Sequence, residues 1–182
     1  MESKEELRKK YKSKRNQLSF EKRKRLSEII IHKIKSTDVY INAKTIALFY
    51  PIQTEVDLLD LLEDGSKRFC FPRVTDQLHS IMEFIPNSKN FKKGPFDLFE
   101  PIGNPINATD IDLILIPGLV FSRGGYRIGY GKGYYDLYLK AFKGNTMGIG
   151  FQIQLASEIE HNYQDVRLSM ILTDREVLCI LQ

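Results

Sequence analysis

Leu113-Ile114-Leu115-Ile116 is apolar at successive positions, with Asp112 before it and Pro117-Gly118 after it. A strand that alternates can leave one face in water, whereas a strand without alternation must be covered on both faces. This run therefore predicts an interior strand of a sheet packed between two other layers. Further β-rich runs stand on either side of it: 45–50 (TIALFY), 68–74 (RFCFPRV), 80–85 (SIMEFI), 146–151 (TMGIGF), 168–173 (LSMILT) and 177–181 (VLCIL). SIMEFI alternates more than the others and reads as an antiparallel or edge strand. Helical patterns are expected at 57–63, 134–142 and 154–160, between the strands. Strands alternating with helices point to an α/β protein, here a single-domain three-layer α/β/α sandwich with a mostly parallel sheet.

The first 36 residues differ in kind. Leu7, Tyr11 and Leu18 are spaced as on a helix, and after Ser19, a plausible cap, Leu26, Ile29, Ile30 and Ile34 repeat the pattern. An amino-terminal helical pair is expected to pack as an arm on the α/β core. Residues 1–35 carry 13 Lys+Arg against 5 Asp+Glu, while the remainder carries 14 against 18. Such a basic arm suits a phosphorylated small molecule, a nucleic acid or an anionic surface. At 182 residues, 42% of them hydrophobic, the chain supports one substantial core. No run reaches the roughly 18 to 20 apolar residues of a membrane span, and charges occupy the start where a signal peptide is apolar, so a soluble cytoplasmic protein is expected. Cys70 and Cys179 lie in strand-like runs without metal spacing and are expected to be buried. His32, His79 and His161 are scattered, and none is assigned to catalysis. The Pro- and Gly-containing stretch 86–110 is expected to be a long loop, a kind of segment that tends to be functional.

Chemistry concentrates at 117–142, PGLVFSRGGYRIGYGKGYYDLYLKAF, where the buried strand ends and a helix begins. Ligands of open α/β sheets bind at that place. Gly129, Gly131 and Gly133 free the backbone to turn its amides on an anion, and Arg127 and Lys132 add charge, so the loop reads as a phosphate cradle. It is neither a Walker loop, since Gly133 stands where the hydroxyl residue belongs, nor a dinucleotide fingerprint. Asp136 is the nearest carboxylate for a metal. Taken alone, these features also allow a single-strand nucleic-acid binder using tyrosine stacking, or a sugar-phosphate isomerase or acyl-coenzyme A transferase on a similar sheet.

The string from Gly125 to Asp136, GYRIGYGKGYYD, resembles the signature of the 5-formyltetrahydrofolate cyclo-ligase family. The likeness extends over most of the chain, through Lys4 and Arg8, Tyr50, Glu55, the Glu100-Pro101 pair and Asp165. It implies an enzyme that uses ATP and Mg2+ to close 5-formyltetrahydrofolate, with or without a polyglutamate tail, into 5,10-methenyltetrahydrofolate, with no nucleic acid or membrane as partner; a monomer is expected because no strong exposed apolar stripe in the sequence argues for obligate assembly. It further implies ATP contacts from Lys4, Arg8 and the loop Arg127, Ile128, Gly129, Tyr130, Gly131, Lys132, Gly133, Tyr134 and Tyr135. Folate contacts would come from Tyr50, Glu55 and Tyr130 to Tyr134, catalysis from Arg127, Lys132 and Tyr134, and metal ligands from Asp136 and Asp165. Ser169 departs from the pattern, because many relatives carry an acid there.

Overall fold

The computed structural model describes residues 2–87, 91–93 and 99–180. Helix α1 (Lys4–Asn16) opens on a capping box, in which the Ser3 side chain accepts from the Glu6 amide and Glu6 reaches back to the Ser3 amide at 2.8 Å. Helix α2 (Phe20–Lys35) is capped by Ser19, whose hydroxyl accepts from the Lys22 amide. A short α3 (Asp38–Asn42) leads into the sheet.

Seven strands form that sheet in the order β12-β11-β9-β6-β1-β2-β3. Its interior strands β1 (Thr45–Ala47), β2 (Arg68–Asp76), β6 (Leu113–Pro117), β9 (Asn145–Ile149) and β11 (Met170–Leu172) run parallel. The edges β3 (Ile81–Pro86) and β12 (Val177–Cys179) are antiparallel, which places SIMEFI where its alternation suggested. The unalternating strand lies near the centre and supplies both faces. Leu113 and Leu115 pack with Ile46, Phe69, Met147 and, from α2 and α3, Ile30, Ile34 and Tyr40. Ile114 and Ile116 pack on the other face with Cys70, Phe84, Ile171 and Leu139 of α4 (Tyr134–Leu139). These are the three layers that the strand pattern required.

A small sheet, β10 (Leu155–Ala156), β7 (Val120–Ser122) and β8 (Arg127–Ile128), grows from the glycine-rich segment. Leu7 and Tyr11 of α1 pack on its Leu119, Val120 and Ile128. The basic arm is thereby fixed beside the loop that follows β8.

Four expectations need correction. The 57–63 stretch is a 3-10 helix over Leu59–Glu63, not an α-helix, with the Asp57 carboxylate accepting from the Leu59 amide. The 154–160 stretch is not helical: a 3-10 turn, Gln152–Gln154, runs into β10, because the buried Gln154 amide donates to the Gly118 and Leu119 carbonyls and pins the chain against the small sheet. The 86–110 loop contains a hairpin, β4 (Phe91–Lys93) with β5 (Phe99–Pro101), and a 3-10 turn, Ala108–Asp110; Gly94 and Pro95 of that stretch lie outside the described residues. Cys179 is exposed, since β12 is an edge strand, while Cys70 is buried as expected. Residue 181 of the last run is outside the described residues.

Candidate functional site

A cleft of about 1050 Å³ opens at the carboxyl ends of β1, β2 and β6, lined there by Phe49, Pro72, Val74 and Pro117. The parallel strands dictate this position, because their loops diverge there and leave a crevice. One wall is the glycine loop, from Arg127 and Ile128 through Gly129, Tyr130, Gly131, Lys132 and Gly133 to Tyr134, Tyr135 and Asp136 at the start of α4. Lys4 and Arg8 of α1, Tyr50 and Glu55 after β1, and Asp165 complete it. The structure thus gathers into one cavity every residue expected from the sequence to contact ATP, folate or metal.

The loop keeps its form by backbone conformations that side chains resist. Gly131 and Gly133 have φ of +92° and +71°, in the left-handed region open to glycine. Arg8 lies across this loop, its Nε donating to the Gly129 carbonyl at 3.0 Å. Arg127 is buried, with Nη2 3.2 Å from Asp136 Oδ2 and its guanidinium over the Tyr135 ring. Among the described residues Arg127 Nε and Nη2 and the hydroxyls of Tyr134 and Tyr135 are buried without a hydrogen-bond partner. Buried donors of this kind carry a desolvation cost that an incoming acceptor removes. Burial pushes the Tyr134 phenol up, with the Asp76 and Glu100 carboxylates adding to it, so it stays protonated at neutral pH.

At the other end, Glu55 is buried and accepts from the Ile52 amide at 3.0 Å and the Tyr130 hydroxyl at 2.8 Å. Burial raises its pKa against the opposing pull of these hydrogen bonds and of Arg15. Tyr50 lines the cleft nearby, its ring tilted against Phe71.

Asp165 accepts from Lys4 Nζ at 2.8 and 2.6 Å and from the Asn162 amide at 2.7 Å. The Val166 amide, next in the chain, donates to Asp136 Oδ1 at 3.3 Å, which draws the two carboxylates to one corner of the cleft. Among the described residues no group of three or more His, Cys, Asp and Glu side chains forms a metal cluster. A pair of carboxylates is nevertheless the donor set that suits Mg2+ when phosphate oxygens and water complete its shell. Ser169 lies elsewhere, its hydroxyl 3.1 Å from Thr146 Oγ1 beside β9.

Sequence reasoning missed Arg15. It is fully buried and donates to Tyr130 and Thr54, but one arginine among thirteen basic residues carries no mark of burial in the sequence. Its spacing from Leu7 and Tyr11, four residues at each step, was the available signal. Glu100 stands out in the sequence only as half of a Glu-Pro pair; in the fold it is buried in the cleft wall and accepts from the Val74 amide at 2.8 Å.

Residues 1–174 match the model of the 5-formyltetrahydrofolate cyclo-ligase family. A 5-formyltetrahydrofolate cyclo-ligase of Mus musculus is 31% identical over 184 residues, covering 91% of each chain. One of Mycoplasma genitalium is 36% identical over 135 residues, covering 71% of this chain and 72% of its own. The solved structure of Aquifex aeolicus 5,10-methenyltetrahydrofolate synthetase superposes with a TM-score of 0.88 at 34% identity, over 98% of this chain and 93% of that one.

Proposed function

The chain belongs to the 5-formyltetrahydrofolate cyclo-ligase family, and from that premise we propose an ATP- and Mg2+-dependent closure of 5-formyltetrahydrofolate to 5,10-methenyltetrahydrofolate in the cleft described above, with release of ADP and phosphate. The observation that carries this is the convergence in one cavity of the glycine loop, the two cations of α1, the buried Glu55 and the Asp136–Asp165 corner.

The formyl carbon is an amide carbon, and ring closure must expel its oxygen. The formyl oxygen takes the γ-phosphoryl group of ATP and becomes a leaving group; the neighbouring folate amine attacks the carbon, phosphate departs, and the amine proton passes to solvent or to the departing phosphate. The protein's work in such a transfer is alignment and neutralisation of charge. The amides around Gly129, Gly131 and Gly133 receive the phosphates, with Lys132 and the buried Arg127 supplying positive charge. Lys4 and Arg8 close over the nucleotide from α1, and Ile128, Tyr130 and Tyr135 complete its bed. Lys4 is paired with Asp165, and an arriving phosphate offers the ammonium a new partner. Asp136 and Asp165 would hold a magnesium ion, which would supply further charge neutralisation at the transferring group. Tyr134, protonated at neutral pH, donates toward the reacting oxygens. Glu55 accepts the pterin N–H groups, and Tyr50 with Tyr134 packs on the folate.

The same reading makes residues 1–182 one catalytic domain, a monomer acting in the cytoplasm on mono- or polyglutamylated substrate, without nucleic acid or membrane. No helix among the described residues is long and apolar enough to cross a membrane. The test is the near-ultraviolet absorbance of methenyltetrahydrofolate, followed with purified protein beside a Lys132→Ala, Asp136→Ala variant. A rise that needs 5-formyltetrahydrofolate, ATP and Mg2+ together and is lost in the variant supports the proposal. No rise from folded protein overturns it, and salt-dependent binding of single-stranded nucleic acid is then the next measurement.

A further inference from the structure

Helix α1 brings Lys4 and Arg8 to the cleft, and behind the cleft wall it buries a third cation, Arg15, that the roles above do not use. Lys4, Arg8 and Arg15 fall on one stripe of the helix. Lys4 holds Asp165 and Arg8 holds the Gly129 carbonyl, whereas Arg15, its side chain 1% exposed, reaches the Glu55 end. Its Nη2 donates to the Tyr130 hydroxyl at 2.8 Å, and that hydroxyl donates to Glu55 Oε1 at 2.8 Å. Its Nε donates to Thr54 Oγ1 at 3.0 Å, and the Thr54 hydroxyl in turn donates to Asn16 Oδ1 at 2.7 Å. Nη1 stands 3.9 Å from Glu55 Oε1 and has no hydrogen-bond partner among the described residues.

Taking a guanidinium out of water is expensive, and a packed apolar side chain would serve stability at least as well. What an apolar residue cannot do is present fixed donors in several directions at once, and a lysine cannot match that rigid fork either. We propose that Arg15 is a positioning residue for the folate end of the cleft, fixing the Tyr130 hydroxyl and the Glu55 carboxylate in the arrangement that receives the pterin. This rests on the reading of Glu55 as the pterin acceptor and of Lys4 and Arg8 as nucleotide contacts. One helix then sets both subsites.

The charged and titratable groups about Glu55 are Arg15 from α1, Tyr130 from the glycine loop and Tyr135 from α4. Arg15 is the cation whose field opposes the effect of burial on Glu55. Without it the carboxyl takes up its proton at higher pH and stops accepting from the pterin.

The experiment compares Arg15→Gln and Arg15→Lys with the wild type, measuring both Michaelis constants, direct folate binding and the acid limb of kcat/KM for the folate. Circular dichroism and thermal melting identify variants that fold, and Arg15→Lys preserves the charge if Arg15→Gln does not fold. The expected result for Arg15→Gln is about a tenfold weaker folate binding and an acid limb moved up by about one pH unit, a tenfold change in proton affinity, with the Michaelis constant for ATP within twofold. Arg15→Lys, which keeps the charge and loses the fork, should return the acid limb while the folate constant stays high. Equal losses for both substrates, or an acid limb that stays put in Arg15→Gln, would overturn the proposal. A wild type that binds and cyclises no folate would instead sink the functional reading beneath it.

Discussion

Glu55 shows how a single buried group ties stability to pH and, in its proposed role, function as well. Its pKa is raised chiefly by burial, so between the ordinary carboxylate value of 4.5 and the raised value the folded protein binds more protons than the unfolded chain. Stability from this group therefore falls as pH rises through that window, by about 1.4 kcal/mol for each unit separating the two pKa values. With Glu55 as the proposed pterin acceptor, folate binding would have the opposite sign, because only the ionised carboxylate accepts two N–H groups. Glu55→Gln should flatten the dependence of melting temperature on pH within the window and weaken folate binding at neutral pH. Calorimetric melts at several pH values and a folate titration check this. Parallel pH curves for wild type and variant would mean that Glu55 does not titrate there. Glu55 was found in the sequence through its resemblance to a family position; its burial was not legible, because that depends on Ile52, Tyr130 and Arg15 converging from three places in the chain.

Among the elements, β9 and the glycine loop use glycine for different reasons. A Cβ at Gly148 would stand 2.7 Å from Phe121, 2.8 Å from Ile171 and 2.9 Å from Leu168, all in the buried layer beneath α4. Gly148→Ala should cost about 1–3 kcal/mol through overpacking, read as a melting temperature lower by roughly 2–4 °C per kcal/mol. Gly131 has space around it, Arg8 being 3.6 Å from a Cβ there, but its φ of +92° resists a side chain. Gly131→Ala should therefore raise the Michaelis constant for ATP severalfold with a smaller change in melting temperature, and steady-state kinetics beside calorimetry separate the two effects. The contrast marks what patterns along the chain convey. Strands apolar at every position and the capped helices were readable because local periodicity decides them. The helix expected at 154–160 was not, because the Gln154 amide takes its partners from Gly118 and Leu119, distant in sequence, and that tertiary bonding outweighs local spacing.

For the molecule as a whole, the arm is joined to the core at both ends of the cleft, by Lys4 to Asp165 and by Arg15 to Tyr130 and Thr54, with Arg8 on the loop between. The sequence predicted an arm packed on an α/β core and a surplus of positive charge upon it; which of those charges face inward became visible only once α1 lay on Leu119, Val120 and Ile128. On the proposed reading a nucleotide entering this cleft would exchange one set of ion pairs for another, its phosphates competing with Asp165 for Lys4 and with the Gly129 carbonyl for Arg8. The double variant Lys4→Ala, Arg8→Ala loses both partners at once. In the apo protein the cost should be small, since partly exposed ion pairs contribute about 1 kcal/mol or less. In the presence of nucleotide the loss should be larger, with the Michaelis constant for ATP raised about tenfold or more and the melting-temperature increase on adding ATP and Mg2+ much reduced. Kinetics and thermal shift measured on the same preparations decide it. An unchanged ATP constant and turnover would mean that α1 holds the cleft together without touching the nucleotide, and the two cations would then be bonds of the fold and not of the active site.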